Sequence, residues 1–216
     1  GRCRRAMAAP PALPGAAAAG PRAKIFVCDL PDGVPEEDLR YLFGLYGTVV
    51  SVSEADEAPE KSLIVEYATA EAASEAQGHL NHGMIRGKII RVMLVSTLEL
   101  IRKTMVSGRR FIIENLDTDI DSHGFFNICC LFGEVCDCKL QLRNSGYTKG
   151  YGFVHYAEEA DAARARKALS QMQVGEKTVS MRPFAWDDAP LFTGTLYARA
   201  VYNPYLQARS NPLDFM

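Results

Sequence analysis

Residues 149–156 read KGYGFVHY, and this octet decides how the rest of the chain is interpreted. Successive side chains of a strand point to opposite faces of the sheet, so the octet divides into two sets. One set is small and apolar enough to lie against helices and consists of Gly150, Gly152, Val154 and Tyr156. The other set places two aromatic rings beside a cation and consists of Lys149, Tyr151, Phe153 and His155. Rings beside a lysine on the uncovered face indicate a ligand with flat faces and phosphates.

The octet resembles the longer RNP motif of the RNA recognition motif (RRM), K/R-G-F/Y-G/A-F-V-x-F/Y, at each of its positions. Upstream of it, the stretch FIIENL at 111–116 resembles the shorter RNP motif, which an RRM carries on its first strand. An edge strand with exposed aromatic side chains is the alternative interpretation of the octet taken alone. The resemblance implies a sheet on which bases of single-stranded RNA stack.

The order of predicted elements around the octet occurs twice in the chain. Apolar periodicity predicts a strand over 110–115, a helix after its N-cap Asp121, strands over 135–142 and 149–156, a helix over 158–171 and a strand over 177–184. The same order is predicted earlier, with strands over 24–28, 48–55, 62–67 and 88–94 and helices over 35–46 and 69–80. The sequence therefore predicts an α+β protein of two ferredoxin-like βαββαβ RRM domains in tandem.

Composition and repeats divide the chain into five segments. They are an arm over 1–21, a first RRM over 22–95, a basic linker over 96–109, a second RRM over 110–184 and a tail over 185–216. Below, the two RRM segments are called the first unit and the second unit. The arm is rich in Ala, Pro and Gly and the tail is rich in aromatic residues without a period, so both are predicted to be disordered. Trp186 and Phe192 of the tail are expected either to fold over the sheet, covering its rings or adding one, or to take no part.

Charge and cysteine usage limit the classes of function. The chain has 216 residues with 24 Lys and Arg against 26 Asp and Glu, and its net charge of −2 predicts weaker salt dependence of RNA binding than a highly basic protein shows. No apolar run approaches the roughly 18 residues that cross a bilayer, so no membrane span is predicted. The six cysteines lack zinc-type spacing, which predicts reduced thiols in the core and no disulfides. Cys136, Cys138 and Leu140 are predicted to share one buried face, with a metal site on C-x-C as the alternative.

The sequence contains no catalytic constellation. Its four histidines are scattered without the spacing of a nucleophilic or metal site, and the octet glycines do not form G-x-G-x-x-G. We therefore predict a protein that is not an enzyme and needs neither a cofactor nor a metal. His155 is interpreted as a solvated histidine at the end of a strand, with base stacking as the alternative.

Four further stretches resemble the first two RRMs of the cytoplasmic poly(A)-binding protein family. They are MIRGKIIRVML (84–94), LIRK (100–103), NLDTDID (115–121) and CDCKL (136–140). The resemblance implies single-stranded, adenine-rich RNA as the ligand. It also implies mRNA handling in the cytoplasm, and in the nucleus, with translation or mRNA-processing proteins as partners.

The candidate RNA contacts are rings and cations. Tyr151 and Phe153 are predicted to stack bases, and the resemblance places Ile112 at the usual stacking position of the shorter motif. Phe26 is the ring that remains in the first unit. The predicted contacts to phosphates and base edges are Lys139, Lys149, Arg182 and, in the linker, Arg102 and Lys103.

The first unit departs from the RRM pattern on its predicted contact surface. Its stretch EKSLIVEY (60–67) places Ser62 and Ile64 where rings would stack, with Glu66 on the same face. Residues 22–94 hold seven Lys or Arg against twelve Asp or Glu, a net charge of −5 that repels phosphate. The alternative function is therefore a protein-interaction adaptor whose first unit binds a polypeptide, and a packed scaffold is an equal interpretation of that unit.

Overall fold

Each predicted unit forms a four-stranded antiparallel sheet backed by helices in the computed structural model, which describes residues 20–55, 61–104, 107–185 and 188. Residues 1–19 of the predicted arm lie outside this part of the chain, as do Trp186 and Phe192 of the tail. The predicted α+β class and the tandem βαββαβ order are confirmed, with a short hairpin added before the last strand of each unit.

The described part of the first unit follows the predicted order. Its elements are β1 (Ala23–Cys28), α1 (Glu36–Gly44), β2 (Val49–Glu54), β3 (Leu63–Tyr67), α2 (Ala70–Leu80), the hairpin β4 (Met84–Ile85) and β5 (Lys88–Ile89), and β6 (Arg91–Leu94). The sheet has the strand order β2-β3-β1-β6. Glu36, Glu37 and Asp38 stand in the first turn of α1, where the helix dipole favours anions. Thr69 caps α2 by accepting a hydrogen bond from the Ala72 amide at 3.2 Å.

The second unit repeats this arrangement. Its elements are β7 (Arg110–Glu114), α4 (Ser122–Cys130), β8 (Val135–Leu142), β9 (Thr148–Tyr156), α5 (Glu159–Leu169), the hairpin β10 (Gln173–Val174) and β11 (Lys177–Thr178), and β12 (Ser180–Pro183). Its sheet has the order β12-β7-β9-β8. The predicted N-cap Asp121 is confirmed, because its carboxylate accepts a hydrogen bond from the Gly124 amide at 2.7 Å.

A nine-residue helix, α3 (Val95–Lys103), occupies much of the segment predicted only as a basic linker. Leu98 and Ile101 are three positions apart, so they fall on one side of the helix, and both are buried. Arg102 and Lys103 stand in its last turn, where the helix dipole favours cations. The linker is therefore a folded element with an apolar side and a basic end.

Strand β8 contradicts one sequence prediction. Its pairing with β9 shifts register between Val135 and Asp137, which is a β-bulge and turns Cys136 away from the face that Cys138 uses. Cys138 and Leu140 pack in the core of the second unit, whereas Cys136 packs in a different cluster, on the other side of the sheet. The five described cysteines are free thiols, and Cys130 is exposed rather than buried as its apolar surroundings predicted.

The octet forms the larger part of β9, and glycine stands at two of its positions for different structural reasons. Gly150 has a φ of +90°, a backbone conformation that side chains with a Cβ rarely adopt. Gly152 lies over the first helix of the unit, and a Cβ at this position would lie 2.8 Å from the Phe125 ring and 2.9 Å from the Lys139 carbonyl oxygen. Gly152 therefore allows α4 to pack closely beneath the sheet.

Candidate nucleic-acid interface

The predicted contacts of the second unit lie side by side on one face of its sheet. Phe153 on β9 pairs with Ile112 on β7 and with Lys139 on β8, and Ile112 pairs in turn with Arg182 on β12. Residues directly opposite each other on neighbouring strands share a face, so these four side chains form one row across the sheet. Tyr151 lies in the next row, opposite Glu114. The fold thus brings five of the predicted site residues together.

The first unit has fewer of the predicted RNA contacts on the corresponding face of its sheet. Phe26 on β1 pairs with Ile64 on β3 and with Met93 on β6, so it is the aromatic ring of that row. Glu66, also on this face, is within 3.2 Å of the Ser51 hydroxyl and within 3.7 Å of the Arg22 guanidinium. This face combines one ring with aliphatic side chains and a partly buried carboxylate.

Helix α3 packs in one apolar cluster with rings of both units. Leu98 and Ile101 pack into a cluster that we call the linker cluster, whose other buried members are Phe26, Cys28, Met93, Ile112, Cys136, Phe153 and Ala157. Phe153 and Ile112 are 0% exposed and Phe26 is 3% exposed. The expectation that these three side chains are open for stacking is wrong for this conformation, because they are buried in a cluster that includes apolar residues of α3. Tyr151 is partly exposed.

Phe184, one residue past β12, also contacts the predicted stacking ring. Its ring lies edge-on to Phe153, with centroids 6.2 Å apart and planes at 66°. The Arg110 guanidinium lies 5.0 Å from the centroid of the Phe184 ring. Trp186 and Phe192, which were expected either to fold over the sheet or to take no part, lie outside the described residues. Among the described residues, Phe184 is an aromatic residue that lies over this face.

Two of the predicted cationic contacts form ion pairs. Lys139 Nζ donates to Asp29 Oδ1 at 3.0 Å. The Arg182 guanidinium donates to both Asp188 oxygens at 2.7 and 2.8 Å and to Glu114 at 3.1 Å. The hydrogen bonds that Arg182 donates to Asp188 raise the pKa of Arg182 above its ordinary value. A phosphate at either cation would compete with these carboxylates.

Three other predicted cations are exposed. Lys149 lies at the start of the octet, and Arg102 and Lys103 lie at the end of α3. Their exposure to solvent puts all three within reach of a polyanion at the protein surface. The basic character predicted for the linker is therefore available at the surface.

A cluster of four charges joins the two units, and the sequence interpretation missed it. Arg91 donates from Nε to Asp29 at 2.6 Å and from Nη1 to both oxygens of Asp137 at 2.7 and 2.9 Å. Together with Lys139, these residues form what we call the charge cluster. Burial acts to raise the pKa of Asp29, but Arg91 and Lys139 outweigh it and hold that pKa below its ordinary value. Because β6 carries Arg91 and β8 carries Asp137, the cluster holds one sheet beside the other.

Two buried histidines lie near these contacts. The His82 ring lies 5.0 Å from the Phe126 ring of the second unit, and burial, with Arg91 nearby, lowers its pKa to about 3. His155 is 0% exposed, so its interpretation as a solvated histidine is wrong. Its Nε2 is 3.0 Å from the hydroxyl of Thr104, just after α3. Burial and the charges of Arg110 and Arg109 lower the pKa of His155 to about 3, which keeps the ring neutral at ordinary pH.

The family model for the RNA recognition motif matches residues 25–91 and 112–180, which are the two units. The chain belongs to the RNA recognition motif family. The tandem RRMs predicted from the sequence are confirmed, and so is the resemblance to poly(A)-binding proteins. Polyadenylate-binding protein 2 of Arabidopsis thaliana is 34% identical over 164 residues, covering 74% of this chain and 26% of that protein. The polyadenylate-binding protein, cytoplasmic and nuclear, of Chaetomium globosum is 34% identical over 172 residues, covering 77% and 22%.

The chain thus spans about a quarter of the length of these curated relatives. Among solved structures, RNA recognition domains 1 and 2 of Sex-lethal from Drosophila melanogaster are 19% identical with a TM-score of 0.36, over 75% of this chain and 99% of that one. The first two RRM domains of the yeast poly(U)-binding protein are 16% identical with a TM-score of 0.33, over 75% and 99%. In the described part of the chain, no helix combines the length and apolarity needed to cross a membrane.

Proposed function

We propose that this chain binds single-stranded, adenine-rich RNA by stacking bases on the sheet of the second RRM, with help from the linker. The observation that carries this proposal is the row of Lys139, Phe153, Ile112 and Arg182 beside Tyr151, on strands that carry both RNP motifs. The names of the poly(A)-binding relatives support the choice of adenine. The proposal extends to mRNA handling in the cytoplasm and nucleus, which the name of one relative, cytoplasmic and nuclear, supports. It also includes translation or mRNA-processing proteins as partners.

The expected affinity of this surface is modest. Each base stacked on an aromatic ring contributes about 1–3 kcal/mol, so two rings provide roughly 2–6 kcal/mol. The exposed cations at Lys149, Arg102 and Lys103 add contacts to the RNA backbone. A second attachment through the linker increases the effective concentration of RNA at the sheet, which strengthens binding overall.

The test is a fluorescence-anisotropy titration of the whole chain with oligo(A), oligo(U) and oligo(C). Tyr151→Ala removes one predicted stack without disturbing a fully buried side chain, and we expect about a 5- to 150-fold loss of oligo(A) affinity. Tyr41→Ala is the matched control, because Tyr41 is 75% exposed on α1. Equal affinity for the three oligonucleotides would contradict adenine preference, and no binding to any of them would contradict RNA binding itself.

A protein-interaction adaptor is the second candidate, and exposed side chains on α1 and at its C-cap favour it. Tyr41 and Leu45, four positions apart, are 75% and 61% exposed. The sheet face of the first unit, which the sequence indicated for a polypeptide, is less open, since Ser62 is buried and Ile64 packs on the linker cluster. An adaptor would retain a partner after RNase treatment and lose it in Tyr41→Ala but not in Tyr151→Ala. Partners that disappear with RNase alone would remove this candidate.

A further inference from the structure

Helix α3 has two unlike sides. Leu98 is 6% exposed and Ile101 is 0% exposed, and both face the rings of the linker cluster. Ser96, Glu99 and Arg102 are exposed. Phe153 is buried in the same cluster as Leu98 and Ile101, with Phe184 edge-on to its ring.

The helix is also separable from the domains. Within the described residues, the first RRM has its own core around Phe43 and Tyr67, and the second has one around Phe125 and Tyr156. Leu98 and Ile101 instead pack in the linker cluster, on the outer faces of the two sheets. Displacing α3 therefore opens the linker cluster on the sheet faces while leaving both cores packed.

A base and α3 cannot occupy the face of Phe153 together. Stacking requires an accessible ring, and this ring is completely covered. We infer that α3 is an autoinhibitory lid, which occupies the base-stacking surface in the free protein and is displaced when single-stranded RNA binds. This inference rests on the function proposed above.

Polar contacts lie at the margins of the closed arrangement. The hydroxyl of Thr104 meets His155 at 3.0 Å, just after the end of the helix. The carboxylates of Asp29 and Asp188 form ion pairs with Lys139 and Arg182, the two cations at the ends of the row that contains Phe153. The lid and these carboxylates together occupy the places that bases and phosphates would take.

The measurable consequence is an affinity that depends on how firmly the lid is seated. When a binding-competent state is only partly populated, the apparent dissociation constant is the intrinsic constant divided by the populated fraction. Weakening the contacts of the apolar side of α3 must then strengthen RNA binding, whereas an apolar side that itself forms part of the RNA surface would give the opposite result.

The experiment compares oligo(A) affinities of whole-chain variants by fluorescence anisotropy. Leu98→Gln/Ile101→Gln replaces the apolar side with neutral side chains that suit a helix, and we expect about tenfold tighter binding. Ile101→Ala, a milder change, is expected to give an intermediate gain. Ser96→Gln is the matched control on the exposed side of the same helix and is expected to leave affinity unchanged.

A thiol reports lid opening independently of RNA. Cys136 is 6% exposed within the linker cluster, and burial, with Glu134 nearby, raises its pKa to about 12. Iodoacetamide labelling, located by mass spectrometry, is expected to modify Cys136 faster in the double variant than in the wild type. Cys129 and Cys138 lie in the core of the second RRM and must stay protected in both proteins, which shows that the domain is still folded.

Three results would contradict the inference that α3 is a lid. Exposure of Cys136 with unchanged or weaker oligo(A) binding would do so while leaving the proposed function intact, provided the wild type binds. Unchanged labelling of Cys136 in the double variant would also do so, because a lid held by two apolar side chains cannot remain seated without them. Failure of every protein to bind oligo(A) would remove both the lid and the proposed function.

Discussion

Arg91 shows how one buried charge depends on partners distant in the sequence. It follows two isoleucines and precedes Val92 and Met93, yet its side chain is 2% exposed and bonds to Asp29 and Asp137. Removing charges from water costs several kcal/mol for each ion, and this cost is offset only when the partners are close and well aligned. The contacts of 2.6–2.9 Å meet that condition.

We predict that Arg91→Met lowers the free energy of unfolding by about 3–5 kcal/mol, because both carboxylates lose their buried partner. Urea unfolding followed by circular dichroism measures the change. Arg40→Met is the control: Arg40 pairs with Glu36 at 2.8 Å, but both side chains are largely exposed, so about 0–1 kcal/mol is expected. Equal effects of the two substitutions would indicate that the charge cluster is open to water.

Among the elements, β9 and α4 pack closely because Gly152 has no side chain. The Phe125 ring and the Lys139 carbonyl oxygen occupy the space that a Cβ would need. The second glycine of the RNP octet therefore has a packing role that is separate from RNA contact. The octet combines a structural requirement on one face with a binding surface on the other.

Gly152→Ala is expected to destabilise the second RRM by about 1–3 kcal/mol, since the added methyl group must displace a ring or a strand. Gly78→Ala is the matched control within α2, where nothing lies within 4 Å of the added Cβ. The control is expected to stabilise the protein by about 0.5–1 kcal/mol. Thermal unfolding measures both, and a neutral Gly152→Ala would contradict the close packing of α4.

The elements also show which features of the fold could be predicted from sequence patterns and which could not. The octet, the N-cap Asp121 and the alternation of each strand are local signals, and they predicted both sheets and the row of site residues. Helix α3 has only nine residues, and the Leu98 and Ile101 spacing that identifies its apolar side is too short a pattern to distinguish from linker. The bulge that turns Cys136 has no local signal, and Arg91 has its partner Asp137 at a distance of 46 residues. These features depend on tertiary contacts.

For the molecule as a whole, charge sets the salt dependence of RNA binding. The net charge is −2, and three predicted contacts, Lys149, Arg102 and Lys103, are exposed cations. Each phosphate neutralised on a single strand contributes about −0.7 to the slope of log K against log salt, so a slope of about −2 is expected.

Lys149→Ala is predicted to make this slope shallower by about 0.7, because one counterion fewer is released. The measurement is oligo(A) affinity over a series of salt concentrations. Lys167→Ala, an exposed lysine on α5, is the control and is expected to leave the slope unchanged. A wild-type slope steeper than about −4 would require more phosphate contacts than these residues provide.

The charge cluster also has a consequence for synthesis of the protein on the ribosome. Asp29 and Arg91 belong to the half that is made first, whereas Asp137 follows Arg91 by 46 residues. At about 5–20 residues per second, that interval lasts roughly 2–9 s. During it, the newly made first domain presents a charged edge and the apolar face around Phe26 and Met93 to its surroundings. We expect the second domain to cover this edge and this face once it has been made.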